Sequence, residues 1–436
     1  MSKRLYVLSI DAMVSEDMDF MRTMPNLGKF LKDASYVKDI TSVYPTLTYV
    51  IHASMLTGVY PDRHHVSNNE VFTPGVWPAP WYWNRNVFDS DVTTVIDEAR
   101  KAGMSTACIS WPVTCGLKAD YLLPEVWNWQ DGSPETMYDL FVKGGADPKF
   151  LDEIWEDYGK NLNGLSSPYF DMLAHGAAIT AIRNHQPEVM FEHLSMVDHT
   201  RHRKGVFASD VYKHAYWLLD LMFGQTMDAM REAGVLDDTV IVITSDHGQT
   251  PVDRVICPNI RMIEDGFVRI DENGKLVDWD AFIMSSAHSA QVFLKDNRDE
   301  KLKENVRKTL QKYRAEGLGI DRILEKEELK ERYHLEGEFS FMIEGADGVT
   351  FSNNLTGPLC YSADNSDYKY SIATHGHMPE KGPKPAFIMK GPGIRKNMVI
   401  EGGNIVNEAP TLASILGLEL PGADGTAWTE FLDDQE

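Results

Sequence analysis

Four apolar segments, far apart along the chain, each lead directly to acidic or histidine side chains. The segments and the side chains that follow them are 5–10 with Asp11, 189–197 with Asp198 and His202, 240–244 with Asp246 and His247, and 371–374 with His375. Such segments predict strands of an open parallel sheet, and ligands bind to these sheets at the carboxyl ends of the strands. The pattern therefore predicts an α/β fold in which three aspartates and three histidines meet at one edge of a sheet.

Carboxylate and imidazole groups are the usual ligands of zinc and similar ions, so this set of side chains indicates the site of a two-metal hydrolase. Taken singly, each aspartate after a strand is more often a helix cap or turn residue, and each histidine a hydrogen-bonded structural residue. Their coincidence at four strand ends favours the metal site.

The length and charge of the chain limit its organisation and its partners. With 436 residues it exceeds the usual size of one domain, which predicts a large domain with an insertion or two domains. A formal charge of -23 argues against binding to nucleic acid polymers. A small phosphate ester remains compatible, because bound divalent cations can reverse the local field in a cleft.

The cysteine and hydropathy patterns carry expectations about location. Four scattered cysteines without a C-x-x-C pair predict free thiols. The apolar segment near the N-terminus is too short for a signal peptide, and no segment reaches the roughly 18 apolar residues of a membrane span. We therefore expect a cytoplasmic protein with no membrane partner, and the sequence indicates no particular oligomeric state.

Apolar segments alternate with helical patterns through the first half of the chain, which predicts a parallel sheet covered by helices on both faces. Further strands are expected at 105–109 and 386–389, and helices over 91–102 and 209–234. The pattern changes between 251 and 367, where a turn, a strand and a charged helix predict an inserted α+β subdomain. Residues 1–250 and 368–436 would then form the metal-binding catalytic core.

A hydroxyl-rich segment, 44–58, enters a short helix that Gly58 is expected to end. Thr48 is predicted at the N-cap, where free backbone N–H groups and the helix dipole favour an anionic phosphate. An alcohol made nucleophilic by a neighbouring cation is one route to hydrolysis at a metal site. The local sequence alone leaves two alternatives equal: either Thr48 is the nucleophile, or it only caps the helix and Thr46 or Ser42 matters more.

These motifs together resemble the alkaline phosphatase superfamily and, within it, the type I phosphodiesterase and nucleotide pyrophosphatase family. The matching motifs, in the order of that family, are Asp11, Thr48 to Pro61 with His64, Asp198 and His202, Ser245 to Gly248, and Thr374 to Gly376. Because they span nearly the whole chain, the resemblance implies an alkaline phosphatase-like α/β/α sandwich. Its central sheet would be mostly parallel, with an inserted α+β subdomain.

The resemblance also implies roles for individual residues. The implied ligands are Asp198, His202 and His375 for one divalent ion, and Asp11, Asp246, His247 and Thr48 for the other. Thr48 would be the nucleophile that forms a covalent phosphoryl-threonine, and Asn69 would contact the substrate. The implied cofactors are two divalent metal ions, zinc or alternatively manganese.

One position departs from the family pattern. The family has Pro-Asn shortly after the nucleophile, whereas this chain has Val50 and Ile51. That asparagine donates a hydrogen bond to a phosphoryl oxygen, and the loss of one such donor costs a few kcal/mol of transition-state stabilisation. The donors that could replace it are Asn68, Asn69 and the backbone N–H of Tyr49.

The sequence thus predicts hydrolysis of phosphodiester or pyrophosphate bonds in small substrates, nucleotides included. The alternatives are a phosphomonoesterase or phosphonate hydrolase on the same scaffold, and a non-catalytic binding protein, which the intact ligand set disfavours. No basic residue lies within the nucleophile segment, which favours a diester with a single negative charge. Trp77 and Trp81, in a cluster with Tyr82 and Trp83, are predicted either to stack on a flat group of the substrate or to anchor a buried loop.

Overall fold

The computed structural model describes residues 4–76, 79–81, 92–127, 136–162 and 167–433. Its strands are β1 (Arg4–Ile10), β2 (Ser35–Thr41), β3 (Thr106–Ile109), β4 (Tyr121–Leu123), β5 (Val189–Leu194), β6 (Thr239–Thr244), β7 (Thr250–Ile256), β8 (Val268–Ile270), β9 (Leu276–Trp279), β10 (Ala281–Ser286), β11 (Ser289–Leu294), β12 (Ile320–Glu325), β13 (Phe341–Gly345), β14 (Gly348–Phe351), β15 (Cys360–Ser362), β16 (Ala373–Thr374), β17 (Phe387–Lys390) and β18 (Val399–Asn404).

Eight of these strands form the central sheet, in the order β18-β2-β17-β6-β1-β5-β3-β4. Every pairing is parallel except those of β17, which runs antiparallel to β2 and β6. The predicted mostly parallel sheet is therefore confirmed. The carboxyl ends of β1, β5 and β6 lie side by side at one edge, and this edge carries the aspartates named above.

Helices cover both faces of the central sheet, and others pack against a second sheet described below. In chain order the α-helices are α1 (Met18–Met21), α2 (Leu27–Leu31), α3 (Thr48–Thr57), α4 (Pro61–His64), α5 (Val95–Lys101), α6 (Met137–Lys143), α7 (Pro148–Tyr158), α8 (Tyr169–Thr180), α9 (Met196–Lys204), α10 (Trp217–Glu232), α11 (Pro258–Glu264), α12 (Glu300–Ala315), α13 (Lys326–Tyr333) and α14 (Glu408–Ile415). Within the described ranges, no helix combines the length and the apolar character needed to cross a bilayer.

The side chains of β1 show why the sheet needs helices on both sides. Leu8 and Ile10 enter the hydrophobic cluster formed with α2, α8 and α10, whereas Leu5 and Val7 enter the cluster formed with α3, α5 and α14. All four side chains are buried. A strand whose two faces are both apolar must be covered twice, and the predicted α/β/α sandwich is accordingly confirmed.

The segment 371–374 is not a strand of the central sheet. Only its last two residues are extended, as β16, and they pair antiparallel with Pro251 and Thr250 of β7. The prediction that four strand ends of one sheet carry the site is therefore wrong for His375. This residue reaches the site from a small separate sheet that contains β7, β14, β15 and β16.

Residues 251–367 contain a second sheet, in which β10, β11, β13 and β12 are antiparallel neighbours. Helix α12 packs against it through Val306, Leu310 and Tyr313. The small sheet around β7 connects this part of the chain to the segment that carries His375. These contacts do not test the predicted division into a core of 1–250 and 368–436 with an insertion, which stays a prediction.

Candidate active site and metal centre

Parallel pairing brings Asp11 and Asp246 together. The register of β1 and β6 places Ser9 opposite Thr244, so both strands end at the same edge. Nε2 of His247 lies 3.6 Å from Asp11 Oδ1 and 3.2 Å from Asp246 Oδ2. Ligand atoms of the three residues all lie within 4.8 Å of one another, so a single cation could bind all three.

A second cluster forms around Asp198, which lies one helical turn before His202 on α9. Nε2 of His202 is 3.1 Å from Asp198 Oδ2, and Nε2 of His375 is 3.9 Å from Asp198 Oδ1. Ligand atoms of Asp198, His247 and His375 lie within 4.8 Å of one another, and the predicted ligand His202 is outside this group. The rings of His247 and His375 stack with centroids 3.9 Å apart, so the two clusters adjoin through His247.

Backbone carbonyls orient two of these histidines. Nδ1 of His202 lies 2.7 Å from the Ala373 carbonyl oxygen, and Nδ1 of His375 lies 3.0 Å from the Thr46 carbonyl oxygen. Because a carbonyl oxygen only accepts, Nδ1 carries the hydrogen, which leaves Nε2 as the ring nitrogen that could bind a cation beside Asp198. Histidines that bind metal ions are commonly oriented in this way. Burial, with a contribution from the neighbouring His247, lowers the pKa of His375 well below its usual value.

The donor set fits divalent cations. Three buried atoms that face the site have no hydrogen-bond partner among the described residues: Asp11 Oδ1, Asp246 Oδ2 and His202 Nε2. Each such atom costs about 1–3 kcal/mol when left unpaired. Burial, and then the charge of Asp246, raises the pKa of Asp11 well above its usual value. Coordinated cations would give the unpaired atoms a partner and would offset the repulsion between Asp11 and Asp246. Mixed carboxylate and imidazole ligands suit zinc or manganese.

Thr48 is the hydroxyl residue that faces these ligands. Its Oγ1 lies 3.2 Å from His247 Nε2, and the residue lines the cavity above the two clusters. The two alternatives are engaged elsewhere: Thr46 Oγ1 donates to the His377 carbonyl oxygen at 3.0 Å, and Ser42 donates to the carbonyl oxygen of Asp246. The geometry therefore favours Thr48 over Thr46 and Ser42.

Helix α3 begins at Thr48 itself, and Leu47 precedes it in extended backbone without a side-chain cap. The prediction that Thr48 is the N-cap is therefore wrong by one residue. Thr48 still lies in the first helical turn, where backbone N–H groups lack helical partners and the dipole favours negative charge. The helix ends at Gly58 as predicted. The backbone φ of Gly58 is 70°, a value that residues other than glycine rarely adopt.

Asn69 reaches the cavity beside Thr48. Its Oδ1 accepts the backbone N–H of Tyr49 at 3.0 Å, and its Nδ2 lies 3.5 Å from the Tyr368 hydroxyl. The Tyr49 N–H is thus already used. Asn68 turns away and donates to Ser286 Oγ at 2.9 Å. Of the three donors predicted to replace the family asparagine, Asn69 Nδ2 is the one placed at the site.

A cavity of about 370 Å³ opens above Thr48. Trp81, a predicted substrate contact, lines it and is 8% exposed. The Trp81 ring packs edge-to-face on Trp127, with centroids 4.8 Å apart. The structure thus brings Trp81 to the site as part of a wall that already packs on protein. Trp77, Tyr82 and Trp83 lie outside the described residues.

Sequence reasoning missed several further lining residues, among them an acid and two aromatic residues. Glu125 and Trp127 lie beyond β4 in a segment without any motif, and Tyr368 precedes the predicted His375 segment. The Tyr368 ring stacks on His375 with centroids 5.5 Å apart. No spacing signal marks these residues, because the tertiary fold alone brings them to the cavity.

Two buried histidines behind the ligands were also missed. Nε2 of His193 lies 3.2 Å from Asp11 Oδ2, which leaves Asp11 Oδ1 to face the cluster. Nδ1 of His52 lies 2.9 Å from the Thr48 carbonyl oxygen and 3.5 Å from Asp246 Oδ2. Burial lowers the pKa of both imidazoles to about 3. His52 follows Thr48 by four residues, which is the one local signal that could have identified it.

Sequence comparisons show which family this chain belongs to. A family model described as type I phosphodiesterase / nucleotide pyrophosphatase matches residues 5–377. The venom phosphodiesterase of Macrovipera lebetinus is 22% identical over 389 residues, which cover 88% of this chain and 39% of that protein. Human ectonucleotide pyrophosphatase/phosphodiesterase family member 1 is 24% identical over 237 residues, covering 52% of this chain and 21% of that protein. The chain thus spans less than half the length of these relatives.

Solved structures show the same fold. Murine ectonucleotide pyrophosphatase / phosphodiesterase 5 has a TM-score of 0.67 at 19% identity, covering 99% of this chain and 100% of that chain. An inactive variant of the same murine protein, solved in complex with AMP, has a TM-score of 0.67 at 18% identity over the same shares of the two chains. This likeness confirms the alkaline phosphatase-like fold.

Proposed function

This chain belongs to the type I phosphodiesterase / nucleotide pyrophosphatase family, and from that premise we propose that it hydrolyses phosphodiester or pyrophosphate bonds of small substrates. The observation that carries the proposal is the Thr48 hydroxyl, 3.2 Å from His247 Nε2 on the floor of the cavity. A nucleophile in this position is next to any phosphoryl group that both ligand clusters hold.

We infer two divalent ions, zinc or alternatively manganese. Asp198, His202 and His375 would hold one ion, and Asp11, Asp246, His247 and Thr48 would hold the other. When bound, the two cations would lower the pKa of the adjacent hydroxyl and offset the charge on the phosphoryl oxygens. The orphaned carboxylate and imidazole atoms described above support this assignment.

The side chains would then act in sequence. Thr48 Oγ1 gives up its proton to solvent and attacks phosphorus. The bond to the leaving ester oxygen breaks, and that oxygen takes up a proton from solvent, which leaves a phosphoryl-threonine. Asn69 Nδ2 donates to a non-bridging oxygen, because Oδ1 of the same amide is engaged by Tyr49 N. The first turn of α3 favours the negative charge. Water then attacks phosphorus, the bond from phosphorus to Thr48 Oγ1 breaks, and one proton of that water returns to Oγ1 as the phosphate monoester is released.

The lining of the cavity favours a diester over a monoester. Among its described lining residues, Arg203 is the one arginine or lysine. A monoester carries an additional negative charge that enzymes stabilise with cationic donors. The alternative function, a phosphomonoesterase or phosphonate hydrolase, would need more cations here. The AMP complex of the murine relative supports nucleotidyl diesters as one group to test.

The test compares Thr48→Ala, Thr48→Ser and Thr46→Ala on bis(4-nitrophenyl) phosphate and on 4-nitrophenyl phosphate, with zinc or manganese present. Thr48→Ala should lower kcat at least about 1,000-fold, as loss of a nucleophile does. Thr48→Ser keeps a hydroxyl and should retain turnover. Wild-type protein should show a higher kcat/KM for the diester.

Mass spectrometry of quenched reactions gives a second readout, because the phosphoryl group should be found on the peptide that contains Thr48. An active Thr48→Ala variant together with an inactive Thr46→Ala variant would show that the nucleophile has been misplaced. A clear monoester preference across several leaving groups would favour the phosphomonoesterase instead.

A further inference from the structure

Two buried polar atoms at one side of the catalytic cavity have no hydrogen-bond partner among the described residues. They are Glu125 Oε2 and the hydroxyl of Tyr49. Both residues line the cavity, and they are 7% and 1% exposed. A buried carboxylate oxygen without a donor is costly, because it has lost its water. The proposed reaction uses neither atom.

The two atoms belong to one place. Glu125 and Tyr49 are neighbours that interact with each other. After burial itself, the charge of Glu125 and a hydrogen-bond contribution from its carboxylate raise the pKa of the Tyr49 hydroxyl, and the same contribution lowers the pKa of Glu125. The pair lacks full hydrogen-bond geometry, and Glu125 Oε2 has no other donor among the described residues. The rings of Trp81 and Trp127 pack on the Tyr49 ring with centroids 5.4 Å and 6.4 Å away. The Tyr49 ring is therefore held in position by packing.

The position next to the nucleophile gives this wall a role in substrate binding. Tyr49 directly follows Thr48, and its backbone N–H bonds to Asn69. A diester attacked by Thr48 has a second ester arm, and that arm must occupy the cavity close to phosphorus. The wall of Tyr49, Trp81, Glu125 and Trp127 is one side of that space.

We propose that Glu125 and the Tyr49 hydroxyl bind a primary ammonium group on one ester arm of the phosphodiester substrate, an inference that rests on the proposed function. A carboxylate only accepts hydrogen bonds, and an ammonium offers three donors and a positive charge. The aromatic rings beside it add attraction for a cation. A quaternary ammonium has no N–H and would leave the carboxylate oxygen unpaired.

The raised pKa of Glu125 shows that its charged form has no cation beside it that would offset burial. Burial raises its pKa to about 8, and the Tyr49 hydroxyl offsets only part of that effect. The carboxyls of Asp171 and Asp246 raise the pKa further. A bound ammonium would supply the opposite charge that this environment lacks.

The experiment uses 4-nitrophenyl phosphodiesters that share one leaving group and differ only in the other arm: 2-aminoethyl, propyl and 2-(trimethylammonio)ethyl. Wild-type protein loaded with metal should prefer the aminoethyl ester over the propyl ester by about tenfold or more in kcat/KM, which is the size of one hydrogen bond to a charged group. The preference should lie mainly in KM. The trimethylammonio ester should be poorer than the aminoethyl ester.

Glu125→Gln should reduce the aminoethyl-to-propyl ratio to near one, and Tyr49→Phe should reduce it in part. Glu156→Gln, the same change on the exposed face of α7, should keep the wild-type ratio. Tyr49→Phe also preserves the test if Glu125→Gln does not fold, because it removes only a hydroxyl.

The outcomes separate this inference from the proposed function. Turnover of the propyl ester that depends on Thr48, with no preference for the aminoethyl ester, would overturn the ammonium site and leave the phosphodiesterase standing. An unchanged ratio in Glu125→Gln, or equal use of the trimethylammonio and aminoethyl esters, would also overturn it. Failure to cleave any of the diesters would refute the proposed function itself, and the ammonium site with it.

Discussion

Glu70→Gln should destabilise the protein, because it removes the carboxylate that neutralises a fully buried lysine. Nζ of Lys369 donates to Glu70 Oε1 at 2.5 Å, and the two side chains are 0% and 4% exposed. The ion pair also joins two walls of the cavity. Asn69 and Tyr368 precede the paired residues, line the cavity and approach each other at 3.5 Å.

The size of the effect follows from the burial. Removing one partner of a buried ion pair costs about 3–5 kcal/mol, since the other charge stays out of water. Burial alone would lower the pKa of Lys369, but Asp367 and Glu70 together raise it, and Asp367 remains in the variant. We therefore expect the lower end, about 3 kcal/mol. An unfolding entropy of about 2.1 cal/mol/K per residue over 436 residues converts this into a Tm decrease of about 3 °C.

Urea unfolding and calorimetry of Glu70→Gln, Lys369→Met and the double variant measure the interaction as a thermodynamic cycle. The double variant should be more stable than the sum of the two single effects predicts, because neither Glu70 nor Lys369 is left without the other. Glu70→Gln should also raise KM, since Asn69 and Tyr368 lose their shared anchor. A loss below about 1 kcal/mol for Glu70→Gln, or additive effects in the double variant, would refute the reasoning.

Two further perturbations test the electrostatics of the site. Burial raises the pKa of Glu125 from 4.5 to about 8, so the folded protein binds this proton more tightly than the unfolded chain. The free energy of unfolding should therefore fall as the pH rises from about 4.5 to 8, by at most ~5 kcal/mol at about 1.4 kcal/mol per pH unit. In urea titrations with chelator present, Glu125→Gln should flatten this pH dependence, and equal slopes for the variant and the wild-type protein would contradict the reasoning. Removal of metal by a chelator should lower the Tm, because a free ion concentration of 100 times the Kd stabilises the folded protein by about 2.7 kcal/mol per site. Added zinc should restore the Tm, and a Tm that chelation leaves unchanged would argue against tightly bound metal.

The central sheet could be predicted because its determinants are local. Apolar segments such as 240–244 mark their own strands, and parallel strands end at a common edge wherever they pair. The proximity of Asp11 and Asp246 follows directly from that geometry. Asp198 was expected right after a strand and instead lies in α9, which begins at Met196. The helix keeps Asp198 and His202 on one face, so the expected cluster still forms.

Other parts of the site depend on contacts that no local pattern encodes. His375 is positioned by the pairing of β16 with β7 and by its bond to the Thr46 carbonyl oxygen. Glu125 reaches the cavity from the segment after β4, where neither charge nor spacing distinguishes it from a surface acid. Its burial is a property of the packed aromatic wall, and a single sequence does not reveal which acids lie behind such a wall.

The choice between Thr48 and Thr46 shows the same limit at one position. The local sequence could not decide it, because both threonines lie near the start of α3. Long-range contacts fix the helix. Asn69 binds the Tyr49 N–H, and His52 connects the Thr48 carbonyl oxygen to Ser9 through its two ring nitrogens, at 2.9 Å each. A rotation of α3 by one residue, about 100°, would break these contacts and turn the Thr48 hydroxyl away from His247. The nucleophile is therefore selected by the residues that hold the helix in place, and these lie on other elements of the fold.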